Sequence, residues 1–282
     1  MSVPSVRDRR RAETVAEIKE AALRELLDAG PGGFSLRGVA RAVGMTVQSL
    51  YHYFANRDAL LTALVVDAHH SAADAVQASA DRTRGRHPHE RRLAACQASR
   101  DWALANRPAF LLLYGTPVPG FTPLPESDVG QAAWRLGHPF AAVVFDRWTP
   151  AQLAAVPAAP GLADADLGEM TLPLGATALF IELRARMHGL VTLELLGHLH
   201  PFNEHGAAFF EAAINRMSAD VDAIQVGTGG RRGLRPSHRR RTSAAHRRAG
   251  GRAGSGSPSA GRRCGPPRSR RRGAAGRRTV PR

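Results

Sequence analysis

The stretch FSLRGVARAVGMTVQSLYHYF, residues 34–54, leaves this chain few ways to fold. Ser35 is a good helix N-cap, and Leu36, Val39, Ala40 and Val43 follow it at helical spacing. Gly44 breaks the run, and Thr46 can cap a second short helix. Two short helices across a tight glycine turn make a helix-turn-helix. At about 100° per residue, Val47, Leu50 and Phe54 share one face, while Gln48, Ser49, His52 and Tyr53 lie opposite and Tyr51 sits at the boundary. Of the four adjacent rings, only Phe54 is therefore expected in the core. In a helix-turn-helix the second helix lays its outer face in the DNA major groove. Gln reads adenine with two hydrogen bonds, hydroxyls bond to several base edges, and Tyr hydroxyls and helix N-termini suit phosphate oxygens. A three-helix core with surface aromatics and no DNA would fit the same pattern.

The flanking sequence is helical too. Val15, Ile18, Ala22 and Leu26 mark one helix, which Gly30-Pro31-Gly32-Gly33 stops. Asn56 can cap another, carrying Leu60, Leu61, Leu64 and Val65 inward. Beyond His87 the pattern predicts helices over about 90–106, 128–148 (kinked at Pro139), 174–199 and 203–225. The apolar segment 109–115, the four-proline loop 116–127 and a Pro, Ala and Gly-rich connection 149–173 separate them. No strand alternation is present, so the expected fold is all-α. The expected divisions are a basic arm at 1–12, a DNA-binding domain at 13–66, a second helical domain at 67–226 and a tail at 227–282.

The net charge of +15 is concentrated in that tail, which holds 18 arginines and no acidic residue, leaving 21 basic against 24 acidic residues before it. A segment so poor in large aliphatics cannot bury a core and is expected to be disordered. It could bind any polyanion, which gives a rival reading: a non-specific nucleic-acid-binding protein driven by the tail. It could also be a passive appendage, or a read-through or frameshift extension. Cys96 and Cys264 match no metal spacing, His198, His200 and His205 match no ligand pattern, and neither metal nor cofactor is expected. The chain has no run of about 18 apolar residues. Its N-terminus lacks the apolar core of a signal peptide, so no membrane association and a cytoplasmic location are expected. No G-x-S-x-G, P-loop, H-E-x-x-H or C-x-x-C occurs, which argues against an enzyme.

The segments TVAEIKEAALRELLDAG and FSLRGVARAVGMTVQSLYHYFANRDALLTALV resemble the TetR family of transcriptional regulators. The shared pattern is Ser35, Val39-Ala40, Gly44, Leu50-Tyr51, Phe54 and the basic Arg57, where the family often has Lys. The resemblance implies a homodimer reading a palindromic double-stranded DNA operator, most often as a repressor released by a small molecule. It implies base-facing roles for Arg37, Val47, Gln48 and Ser49 and phosphate-holding roles for Ser35, Thr46, Tyr51, Tyr53 and Arg57, with His52 open to either. Arg7, Arg9, Arg10 and Arg11 are expected to reach an adjacent groove as a flexible arm, or simply to be solvated.

The second half then implies an effector-binding and dimerisation domain. YGTPVPGF and RMHGLVTLELLGHLHPF resemble a subgroup with a Trp-His-Gly signature, with Met187-His188-Gly189 standing in its place. Leu179, Leu183, Met187, Leu190 and Leu193, with Phe209, Ala213, Ile214, Met217 and Val221, would form a four-helix dimer interface or complete the monomer's own core. Trp102, Phe110, Tyr114, Phe140, Phe145, Phe180, Met187 and His188 are candidate ligand contacts, with Trp134, Trp148 and Glu182 as further lining. Such a lining would suit a hydrophobic or amphipathic effector of unknown identity.

Overall fold

The computed structural model describes residues 5–122, 128–165, 167 and 171–229, and the expected disorder of the tail falls almost wholly outside them. Among the described residues all regular structure is helical. The first helix, α1 (Val6–Asp28), begins well before Glu13, so the expected flexible arm is helical from Val6. Its cause is a capping box: the Ser5 hydroxyl accepts from the Asp8 amide at 3.1 Å, and the Asp8 carboxylate accepts from the Ser5 amide at 3.3 Å. The glycine-rich stop forms one helical turn, α2 (Gly30–Gly33), before α3 (Leu36–Ala42) and α4 (Val47–Leu50). Ser35, Thr46 and Asn56 each cap the helix that follows them.

The long α5 (Arg57–Arg82) belongs to two cores at once. Its first turns, through Leu60, Leu61 and Leu64, pack with Ile18, Ala22, Val39, Leu50 and Phe54. From Ala68 onward its alanine-rich face joins a second cluster with Trp102, Phe110, Phe140, Phe180 and Phe210. The change of core falls between Leu64 and Ala68, on one unbroken helix.

The second core is built by α6 (Pro88–Ala105), α7 (Arg107–Tyr114), α8 (Asp128–Val144), the short α9 (Pro150–Ala154), α10 (Leu174–Leu195) and α11 (Gly206–Gly229). Helix α8 runs on through Pro139. The connection after it is less irregular than expected, because Thr149 and Gln152 form a capping box that starts α9. Helix α11 outlasts the expected end at Gln225 and runs to Gly229. In α10 and α11, Leu183, Met187, Val191, Phe210, Ile214 and Val221 are buried inside the chain's own core. Each contributes about 1.5–3 kcal/mol by burial. Two ionic contacts lock these helices to α6: Arg92 with Asp222, and Arg100 with Glu194.

Candidate nucleic-acid interface and effector cleft

The turn between α3 and α4 has a defined geometry. The Met45 amide donates to the Ala40 carbonyl at 2.9 Å and the Gly44 amide to the Arg41 carbonyl at 3.2 Å. These are the paired bonds of a Schellman ending, with Gly44 in the left-handed region at φ 69°. Gly38 performs a second service: a Cβ there would collide with the Glu25 carboxylate, which also accepts from the Ser35 hydroxyl at 3.2 Å. Helix α4 then opens with Thr46, whose hydroxyl accepts from the Ser49 amide at 3.0 Å and contacts the Ser49 hydroxyl at 2.8 Å.

Around this turn Arg37, Thr46, Gln48, Tyr51 and His52 are exposed, while Ser35 and Ser49 are half-buried. Three residues of the expected set also make contacts within the chain. Val47 is half-buried and packs against the N-terminal core, as its place on the helical wheel requires. Tyr53 also packs against that core, under the Arg11 guanidinium at 5.1 Å. The wheel overextends here because α4 ends at Leu50 and residues 51–53 form a turn. Arg57 is drawn the other way: it donates to the Pro119 carbonyl at 3.2 Å, lies 3.7 Å from Asp58 and covers the Phe34 ring at 5.6 Å. Near it, Val118 of the segment after α7 enters the N-terminal core. That contact spans some sixty positions of sequence, and local pattern carries no signal for it.

The aromatic candidates of the second domain separate into distinct places. Phe140, Phe180 and Met187 line a small internal cavity of about 30 Å³, together with Arg92, Cys96 and Ile214. Burial pushes the Cys96 thiol up to about 12, so it is unreactive there. Phe145 and Phe180 line a larger open cleft of about 620 Å³ between α8 and α10, with Trp134, His138, Ile181 and Arg184. Trp102 lines neither; its indole donates to the Ser71 hydroxyl at 2.9 Å. Glu182 is exposed and paired with Arg186 at 2.6 Å.

Phe110, Tyr114 and His188 come together in a third place, joined by His69 of α5. The Tyr114 and His188 rings lie 4.2 Å apart, and His69 meets Tyr114 edge-on at 6.5 Å. Burial, then the Arg184 charge, hold His69 down at about 4 and His188 at about 3, so both are neutral near pH 7. Burial raises the Tyr114 phenol, with Arg184 acting against it. Neither His69 nor Arg184 was a sequence candidate. The available signal was Arg184 standing one turn before His188 among Leu183 and Met187.

A short exposed helix after a Schellman turn, packed on a core that shares α5 with a second helical core, is a helix-turn-helix arrangement. Comparison with known proteins agrees. The family model described as bacterial regulatory proteins, tetR family, matches residues 18–64, and one described as Tetracyclin repressor-like, C-terminal domain, matches residues 93–217. The chain belongs to the TetR family of bacterial regulatory proteins. It is similar to HTH-type transcriptional regulator Rv1816 of Mycobacterium tuberculosis (strain H37Rv), 40% identical over 133 residues. The match to Mb1846 of Mycobacterium bovis has the same extent. The match takes in 47% of this chain and spans 57% of each relative's length. Among solved structures, the regulatory protein SCO4313 is 29% identical with a TM-score of 0.60, over 76% of this chain and 98% of that one. A TetR family regulator from Marinobacter aquaeolei VT8 shares the fold at 20% identity and a TM-score of 0.54, over 76% and 97%. Among the described residues no helix is long and apolar enough to cross a membrane.

Proposed function

We propose that this chain is a homodimeric, ligand-responsive regulator that binds a palindromic operator and releases it when a small amphipathic effector enters the second domain. The supporting observation is α5, which carries Leu60 and Leu64 in the DNA-binding core and Ala68 and Ala72 in the effector core without a break. Gln48, Arg37 and Ser49 read bases; Ser35, Thr46, Tyr51 and His52 hold backbone. Dimerisation uses the outer face of α10 and α11, where Leu190, Leu193, Ala213 and Met217 border an open groove. Two recognition helices then stand about 34–36 Å apart, one turn of DNA. Effector binding tilts α5, changes that spacing and releases the operator; a tenfold loss of affinity requires about 1.4 kcal/mol of differential binding.

The test is titration of an operator duplex with the full chain at about 0.15 M salt, in the presence of excess random DNA, where non-specific binding is weak. Binding of two chains per palindrome, resistant to the competitor and lost in Gln48→Ala, supports the reading. Binding abolished by the competitor supports instead a polyanion binder driven by the arginine tail.

A further inference from the structure

Two arginines line the small cavity, and Arg92, the buried one, is matched by Asp222. Arg184 makes no ion pair among the described residues: its guanidinium faces the Tyr114 hydroxyl and lies over the Phe180 ring at 5.8 Å, and its Nε is buried without a hydrogen-bond partner. The Tyr114 hydroxyl and His69 Nδ1 are likewise buried and unpartnered. The Arg184 charge acts on His69, Tyr114 and His188 alike, so these groups, from α5, α7 and α10, form one neighbourhood. Buried polar atoms are nearly always satisfied, and several orphans in one place ask for a ligand.

Arg184 also connects this neighbourhood to the open cleft. It lines both the internal cavity and the cleft, and its Nη1 lies 3.7 Å from where a side chain at Gly137 would begin. Among the described residues the cleft lining holds Trp134, Phe145, Leu172, Phe180 and Ile181, and no carboxylate. With both histidines neutral, the cluster offers a single positive charge plus hydroxyl and imidazole hydrogen-bonding groups.

We propose that the effector is a monoanionic amphipath, a carboxylate on an apolar body, with its head on Arg184 and Tyr114 and its body in the cleft between α8 and α10. A guanidinium pairs a carboxylate through two parallel hydrogen bonds, and the apolar walls take the hydrocarbon. Arg184 gives the selectivity and the cleft the affinity. The assignment of the bound molecule as an effector rests on the regulatory reading above; the chemistry of the site does not.

The test uses the full chain and isothermal titration with straight-chain carboxylates of six to fourteen carbons, each with its matching primary alcohol and amine. The carboxylate is expected to bind at least tenfold more tightly than the alcohol of equal length, and the amine not at all. Arg184→Met is expected to remove that preference, with a far-ultraviolet circular dichroism spectrum and Tm like the parent's showing that the variant is folded. Tyr114→Phe should weaken carboxylate binding less, by severalfold. Equal binding of alcohol and carboxylate, a preference that survives Arg184→Met, or no binding anywhere in the series would overturn the proposal. Carboxylate binding that leaves operator affinity unchanged would sustain the site and remove its regulatory role. Operator binding with no carboxylate bound would do the reverse.

Discussion

Gly44 offers the sharpest test of how the recognition helix is positioned. Its φ of 69° closes the Schellman turn between α3 and α4, and no atom lies within 4 Å of where a Cβ would stand. Substitution there meets no steric clash, so its cost is the backbone alone. A left-handed L-residue other than Gly costs roughly 1–2 kcal/mol, and Asn less because its short amide bonds locally. Gly44→Ala is thus expected to lower stability by about 1–2 kcal/mol, or a few degrees in Tm for a chain of this size. Gly44→Asn should lose clearly less. Urea denaturation followed by circular dichroism, with unchanged m-values, measures both. If Ala is as stable as Gly, or Asn is worse than Ala, the turn does not need the conformation described.

Three further outcomes are expected. Gln48 is exposed and touches no core, so Gln48→Ala should leave Tm within a degree while weakening operator binding by about 1–3 kcal/mol; a folding defect instead would show that Gln48 is structural. His69 and His188 are held at about 4 and about 3, below the ordinary 6.5, so on unfolding in acid the chain takes up protons that the folded form refuses. Their contribution is therefore full above pH 6.5 and is lost as pH falls toward 4, at up to about 1.4 kcal/mol per unit for each histidine. Urea midpoints at pH 7 and 5 should show this slope, flattened in a His69→Asn, His188→Asn double variant; equal slopes would mean that the histidines are not buried neutral. Arg184→Met should change the stability of the ligand-free chain by less than about 1 kcal/mol, since the guanidinium has no ion pair among the described residues; a larger loss would reveal one.

Local chemistry was readable where it acts over a few residues. Ser35, Thr46 and Asn56 are caps because their side chains reach an amide three positions on, and the hydrophobic spacing around them names the buried face. The same logic was present but unread at Ser5 and Asp8, which start α1 before the expected arm ends. Wheel geometry held for His52 and Phe54 but missed Tyr53, which packs against the core from the turn that follows the four-residue helix. What stayed hidden depends on distant partners. Nothing near Arg57 says that Pro119 will take its guanidinium, and nothing near Arg184 says that it will face Tyr114 and His69. The aromatic candidates were drawn from one list by size and type, yet they divide among a cavity, a cleft and a polar cluster, because packing partners set their positions.

The central claim is that the α3–α4 surface reads a sequence, independently of the arginine-rich tail. The direct measurement is selection of binders from random duplex DNA at about 0.15 M salt, run in parallel with the full chain and with a form ending at Gly229, the last residue of α11. The account predicts that both enrich the same palindrome, with half-sites centred about one helical turn apart. Enrichment of no sequence by either form, with the full chain still binding all DNA at low salt, would contradict it.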